Sequence, residues 1–431
     1  MNSKTLCNSL NVGFLAAAMA LLLYHADTDA AQLRAGMAST DITPAKPVRM
    51  HGYESRKDLS TGVHDPLSAR VVAFESGTNR LILVSTDVLG FYDGTADDFT
   101  ETICKKYKLT PGQLFLCAIH THSAPTLTLS KNALHPNNLE YTTTLRDKLV
   151  EAVGRALDDL EPVAVGAGVG HCPIGANRRQ LVFDKLGNSE IRLGRNPYGP
   201  TDKEVLALKV ARDGNTMALL FDYATHATSL GPRNYLVSGD VMGLAEQFVE
   251  KIYANKLIAP AFTGASGDID PWFRVLPEFD QTDGWIPEPV LLGTFLGEEV
   301  VRVSQQINPQ TSDVEIKTAF AALQLPGKDE GTAEVTPNHP TANFNVTVAK
   351  LGDIAFVGLG GEVLTEIGMA IKTASPFEHT FVITHCNGAA GYLPAADAYI
   401  EGGYEVKSSS FAPSAADTVV KKTVRMLHDL R

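Results

Sequence analysis

The sequence has no basic run and no interleaved basic–aromatic stripe, and its formal net charge is −12. That argues against nucleic acid as a partner, because phosphate binding needs clustered Lys and Arg. It also leaves no electrostatic pull toward an anionic lipid surface. Beyond the first two dozen residues, no stretch approaches the roughly 20 apolar residues that a spanning helix needs. Cysteine is sparse: five residues, none at Cys-x-x-Cys spacing. Four of them, Cys104, Cys117, Cys172 and Cys386, lie beyond the N-terminal leader pattern. One or two disulfides could form in an oxidising compartment, but the sequence does not pair them. There is no Gly-x-Ser-x-Gly elbow, which argues against a serine hydrolase. Cys117 sits inside an apolar run, where cysteine behaves as a small hydrophobe rather than a nucleophile. No short repeat, low-complexity tract or Pro/Ser linker cuts the chain.

What is present begins with a leader pattern. Met1 to Asn11 is polar with one cation, Lys4, an apolar run follows from Val12 to Leu23, and small residues stand at Ala26, Ala30 and Ala31. This is the layout of a secretory signal peptide over residues 1–30, with secretion or a periplasmic location as the expectation. The 431 residues are 44% hydrophobic, enough for a sizeable core. Apolar runs and helical patterns alternate. Leu81–Val84, Leu114–Ile119, Leu257–Phe262 and Ile354–Leu359 read as strands, and Val205–Val210 and Met217–Phe221 flank an Asp213-Gly214 turn as a hairpin. Leu145, Leu149, Ala152, Ala156 and Leu160 follow helical spacing, as do Leu244, Ala245, Phe248 and Ile252. The pattern predicts a mixed α/β (α+β) fold of stacked β-sheets flanked by helices, with 31–431 as one large catalytic domain.

Chemically capable residues follow the apolar strands, where binding groups collect in α/β folds. His120-Thr121-His122 places two imidazoles at i and i+2 on one face of a strand, a common way to offer nitrogen to zinc. The competing reading is two exposed histidines at a strand end. His226 ends another apolar strand and could equally be a satisfied core residue. Glu362 follows Gly360-Gly361 at the expected start of a helix, where a carboxylate also serves the helix dipole; Glu366, one turn on, competes with it. The loop Gly264-Ala265-Ser266-Gly267-Asp268-Ile269-Asp270-Pro271 offers two aspartates and close backbone approach, or is an ordinary turn. Tyr392 and Tyr404 could ligate a metal or donate to an oxyanion, or simply fill a core.

Taken in order, these segments resemble the catalytic domain of the neutral, non-lysosomal ceramidases. The resemblance runs through Gly36-Met37-Ala38-Ser39-Thr40-Asp41-Ile42-Thr43-Pro44, Met50-His51-Gly52-Tyr53, Thr61-Gly62-Val63-His64, Ala69-Arg70 and Ser85-Thr86-Asp87. It continues through the His-Thr-His-Ser segment at 120–123, Asn177-Arg178, His226-Ala227-Thr228-Ser229, Ser238-Gly239-Asp240, Gly267-Asp268 with Pro271, Gly361-Glu362 and Gly391-Tyr392.

The resemblance implies one zinc ion held by His120, His226, Glu362 and Tyr392, with His122, Arg178 and Tyr404 lining the reacting centre. It implies hydrolysis of an N-acyl amide bond in a ceramide-like or other N-acylated small molecule or lipid. Zinc with N and O ligands makes a water acidic enough to ionise near neutral pH, Arg178 or Tyr404 could stabilise an oxyanion, and His122 could carry a proton. Two departures stand out. The family's serine in its Gly-Asp-x-Ser-Pro segment is Asp270 here, an added carboxylate that could alter substrate contacts or hold a second divalent cation. Relative to the family pattern, the expectation is a chain without the family's further C-terminal β-sandwich domain after Tyr404. Asp270 keeps open a metal-dependent hydrolase of an ester or carbohydrate linkage, and loss of the serine keeps open a non-catalytic binding protein on the same scaffold.

Overall fold

A strand that is apolar on both sides must be covered on both. In Ser68–Ser76, Val71 and Ala73 turn toward one core while Val72 and Phe74 turn toward another, all four without exposed surface. The computed structural model describes residues 32–132, 135–272, 288–310, 314–328 and 341–431; the leader pattern at 1–30 lies outside them. Ser68–Ser76 is the middle strand of a five-stranded sheet ordered Leu114–Ala118, Asn79–Thr86, Ser68–Ser76, Arg34–Asp41, Glu161–Pro162. One face packs on helices Thr95–Tyr107 and Pro136–Asp158 through Phe99, Ile103, Leu145, Leu149 and Val153.

The other face meets two four-stranded sheets at once. One is ordered Ala261–Thr263, Asn215–Tyr223, Glu204–Arg212, Ala164–His171, and the other Ile316–Pro326, Thr341–Leu351, Ile354–Leu359, His379–Ile383. Leu208, Val210 and Leu220 of the first and Phe356, Phe381 and Ile383 of the second share a core with Phe115 and Leu83. Phe356 stacks on Phe381 with centroids 4.9 Å apart and takes the Phe115 ring edge-on at 6.4 Å. Each such side chain contributes about 1.5–3 kcal/mol of burial free energy, so this seam between the sheets is a main source of stability. Helices Asp240–Ile252 and Glu288–Gln306 cover the outside of the first sheet, and Thr365–Ala374 and Ala415–Leu430 that of the second. The stack of helix, sheet, sheet and helix is the expected mixed α/β class with stacked sheets.

Most strand neighbours are antiparallel, but within the larger sheets three pairs are parallel, Asn79–Thr86 with Leu114–Ala118, Asn215–Tyr223 with Ala261–Thr263, and Ile354–Leu359 with His379–Ile383, as are the two-residue pairs Leu236–Val237 with Gly62–Val63 and Glu362–Val363 with Tyr392–Leu393. The three longer parallel pairs aim their C-terminal ends at one region. His120 follows Ala118, His226 follows Tyr223, Glu362 follows Leu359 and His385 follows Ile383. Groups distant in sequence therefore converge at carboxyl ends of strands, the usual place for a site in such sheets.

Three local expectations change. The strand after Phe115 stops at Ala118, and His120 has a left-handed φ of 61°, so His120 and His122 do not share a strand face. They flank an isolated bridge between Thr121 and Ala227 instead. Glu362 does not start a helix; it lies in a two-residue strand paired parallel with Tyr392–Leu393, and the helix begins at Thr365. Helix Asp240–Ile252 buries Val241, Met242, Ala245 and Val249 rather than Ile252, because Leu244 and Phe248 pack sideways against Gly293 and Gly297 of the neighbouring helix.

Candidate metal centre and active site

Three imidazoles meet at the converging strand ends. Each donates its Nδ1–H to a backbone carbonyl: His120 to Leu89 at 2.7 Å, His226 to Ser266 at 2.7 Å, and His122 to Gly52 at 3.1 Å. This sets the tautomer and leaves every Nε2 lone pair facing the cluster. Nε2 of His122 is 3.3 Å from Nε2 of His120, and one nitrogen from each of the three rings fits within 4.8 Å of the others. Burial, and then the charges of His120, His226 and Arg178, hold His122 well below the usual imidazole range. Burial and Arg178 bring His226 down to about 4. Both rings are thus neutral at pH 7, the form that ligates a metal or accepts a proton.

Gly52 is part of this geometry. Its φ is +97°, and a Cβ there would lie 2.4 Å from His122 Nδ1. Only glycine brings a carbonyl to the ring from that direction. The loop is fastened by the buried Arg56, whose Nη1 donates to the carbonyls of His122 (2.6 Å) and His51 (3.1 Å).

Glu362 reaches the same cluster. Its Oε2 lies 3.5 Å from His120 Nε2 and 3.6 Å from His226 Nε2. Its Oε1 accepts a hydrogen bond from Tyr92 at 3.1 Å. Burial alone would raise this carboxyl, but the surrounding imidazoles of His120, His226 and His385 hold it well below the usual carboxylate range. Oε2 is buried and has no hydrogen-bond partner. A buried carboxylate oxygen between two nitrogen lone pairs is a poor arrangement without a cation, since buried acceptors are almost always satisfied. The donor set of imidazole nitrogens and a carboxylate suits a divalent transition metal and fits zinc. The buried histidines could therefore hold a metal ion.

Arg178 joins this centre to a second charged group. It lies on the strand Gly175–Phe183 and is buried. Its Nε donates to Glu405 at 2.9 Å, Nη2 to the Tyr392 hydroxyl at 3.0 Å and Nη1 to Asp270 at 3.2 Å, and Nη1 is 3.3 Å from His226 Nε2. Glu405 takes Arg179 on its other oxygen at 2.9 Å. Asp270, on the short strand Ile269–Pro271 beside Gly175–Phe183, is buried between Arg178 and Arg195, whose Nη1 is 3.5 Å from Oδ2. Two guanidinium groups on one carboxylate leave it poorly placed to attract a second cation. Tyr404 stands at the rim, half-exposed, with its ring 5.6 Å from that of Tyr392. Asp268 takes a different part: it accepts from the backbone N–H of Thr365 at 2.8 Å and from Asn177 at 2.9 Å, securing the start of helix Thr365–Ala374. Glu366 is exposed and outside the centre.

The sequence profile of neutral/alkaline non-lysosomal ceramidases, N-terminal part, matches residues 33–272. The chain belongs to this ceramidase family. It is 28% identical to neutral ceramidase 1 of Arabidopsis thaliana over 228 residues, 51% of this chain and 29% of that protein. It is 26% identical to the neutral ceramidase of Mycobacterium tuberculosis over 242 residues, 51% of this chain and 36% of that protein. The match thus spans about a third of each of these relatives. The crystal structure of neutral ceramidase from Pseudomonas aeruginosa superposes with a TM-score of 0.76 at 18% identity, covering 93% of this chain and 74% of that one. At that identity the likeness speaks for the fold.

The family profile ends before Glu362, Tyr392, Tyr404 and Glu405, so their place beside the histidines is a finding of the fold. Every expected site residue is brought to one place, with Tyr404 at its edge. Four participants were not anticipated as such. Tyr92 supports Glu362, Arg56 holds the His122 loop, and Glu405 holds Arg178. His385 stacks on His120 with centroids 3.7 Å apart and planes 13° from parallel. No short-range motif marks them, though the resemblance did include the segment around His51, whose ring meets Tyr92 edge-on at 5.1 Å.

Proposed function

We propose that this chain is a secreted or periplasmic zinc-dependent hydrolase that cleaves the N-acyl amide bond of a ceramide-like or other N-acylated substrate. The observation that carries the proposal is the partnerless, buried Glu362 Oε2 between the Nε2 atoms of His120 and His226. Membership of the ceramidase family supports the amide bond as target, and the leader pattern at 1–30 supports the location.

In this reading His120, His226 and Glu362 hold the metal, and Tyr392, paired in register with Glu362, completes the set. Zinc in such a site supplies a water that ionises near neutral pH and polarises the substrate carbonyl. The chain's own residues do the rest. His122, neutral and with Nδ1–H tied to Gly52, presents Nε2 as the atom that takes the water's proton and returns it to the leaving amine. Arg178, fixed by Glu405, Asp270 and Tyr392, places a permanent positive charge beside the reacting carbonyl, where oxyanion charge develops. Tyr404, half-exposed beside Tyr392, would contact substrate.

The test is hydrolysis of a fluorescent N-acyl sphingosine by the purified full chain, before and after chelation and with zinc restored. Chelator-sensitive release of the fatty acid, recovered on zinc addition, is the expected result. Cleavage that persists unchanged after complete metal removal contradicts the proposal. Zinc-bound protein inert toward the amide but active on an ester or a glycan moves the assignment to that bond.

A further inference from the structure

Two cysteines lie beside the centre and take no part in it. Cys117, in the strand Leu114–Ala118, forms an isolated antiparallel bridge with Cys386. The flanking hydrogen bonds define its type: Ala118 N–H donates to the His385 carbonyl (3.3 Å) and Asn387 N–H to the Leu116 carbonyl (3.0 Å). Residues 117 and 386 exchange no bonds with each other, so they form a non-hydrogen-bonded pair. In such a pair the Cα atoms are about 4.5 Å apart and the side chains project together on one face. A disulfide requires a Cα separation of about 4.4–6.8 Å. Cys117 is 1% exposed and Cys386 is 0% exposed, within the same core.

The register of this pair is locked. Asn387 accepts from Leu116 N–H at 2.8 Å and donates to the Leu114 carbonyl at 2.6 Å and to Thr347 Oγ1 at 3.0 Å. It reaches those partners from a left-handed φ of 54°. Gly358 makes room for the sulfur: a Cβ at that position would stand 2.5 Å from Cys386 Sγ. The other two cysteines among the described residues are elsewhere, Cys104 on helix Thr95–Tyr107 and Cys172 just beyond the strand Ala164–His171.

We infer that Cys117 and Cys386 form a structural disulfide when the chain folds under oxidising conditions, tying the segment that carries His120 to the segment that carries His385. Both thiols are free in the reduced chain. The chemistry is thiol–disulfide exchange with a small-molecule disulfide such as glutathione disulfide. One cysteine thiolate attacks it and releases one glutathione thiolate. The second cysteine thiolate attacks the mixed disulfide and releases the other. The two protein thiols lose two electrons and two protons, and glutathione disulfide becomes two glutathione molecules. Exchange belongs to the folding chain, because in the closed core burial pushes the Cys117 thiol up and keeps solvent reagents away. The link closes a long loop and fixes the backbone on both sides of the His120–His385 stack.

The experiment is refolding of the full chain from urea, in a glutathione/glutathione disulfide buffer or in a non-thiol reductant. Alkylation in denaturant and non-reducing peptide mapping follow. The expected result is two fewer titratable thiols after oxidising refolding and a linked peptide pair containing 117 and 386. The oxidised chain should also unfold at higher urea than the reduced one, and that difference should vanish in Cys386→Ser. Recovery of Cys117 and Cys386 both alkylated after oxidising refolding overturns the inference, as does either one paired with Cys104 or Cys172. A 117–386 link with no difference in urea midpoint overturns its structural role. The wild-type peptide map decides the pairing even if the serine variant folds poorly.

Discussion

Replacing Glu405 with glutamine removes one negative charge from a buried group that serves two arginines. The Glu405 side chain is fully buried, with 2.9 Å contacts to Arg178 Nε and Arg179 Nη1. Each charge-assisted hydrogen bond contributes about 1.5–3 kcal/mol, so the two bonds together put about 3–6 kcal/mol at stake. Part is retained: the amide oxygen can still accept one bond, Asp270 remains 3.2 Å from Arg178, and Glu401 remains 2.9 Å from Arg179. Removing one member of a buried ion pair costs about 3–5 kcal/mol, and with these compensations a loss of about 3 kcal/mol is expected. Glu401 is the internal control. Its side chain is 55% exposed, so Glu401→Gln should cost only about 0–1 kcal/mol. The assay is urea unfolding of the two variants beside the wild type. Turnover of an N-acyl substrate should fall in Glu405→Gln, because Arg178 loses the partner that aims it, while Glu401→Gln should leave turnover near the wild-type value. Equal stability losses in the two variants, or a loss below about 1 kcal/mol in Glu405→Gln, would refute the claim that Glu405 holds the arginine pair.

Other outcomes follow from the same geometry. Gly52→Ala forces a side chain into a left-handed position and onto the His122 ring; a stability loss of about 1–3 kcal/mol and a drop in kcat should appear in urea unfolding and steady-state kinetics. Tyr92→Phe removes only the hydroxyl that donates to Glu362, so the fold should persist while zinc affinity, measured by competition with a chromogenic chelator, falls about 10–100-fold. His64 donates to Asp65 at 2.6 Å, and that hydrogen bond raises its pKa. A histidine whose folded pKa is raised contributes stability that is complete below about pH 6.5 and disappears as pH rises through the folded value. His64→Gln should therefore lose more stability at pH 6 than at pH 8.5, and equal losses at the two pH values would contradict the pairing.

Much of the centre was legible because apolar strands end just before its residues. His120 and His226 could be read that way, and the ordered motifs identified Arg178, Glu362 and Tyr392 as a set. The local conformations were not legible. The apolar run Leu114–Ile119 suggested a strand carrying both histidines on one face, whereas His120 turns left-handed and the rings converge through bonds to Leu89 and Gly52. Two glycines before Glu362 resembled a helix start, but the segment first pairs with Tyr392–Leu393 and bends into the helix three residues later. Glu405, Tyr92 and His385 were missed for a common reason. Each acts across a sequence separation that no local pattern encodes: Glu405 on Arg178, Tyr92 on Glu362, His385 on His120. Asp270 was noticed as an extra carboxylate, but only the fold shows Arg178 and Arg195 on either side of it.

The most direct test of the central claim is the zinc content of the purified full chain measured beside His120→Ala, His226→Ala and His122→Ala. One zinc per chain in the wild type, lost in the first two variants and retained in His122→Ala with a lowered kcat, is the predicted result. A wild-type chain that binds no metal, or a His120→Ala variant that keeps full occupancy, would contradict it.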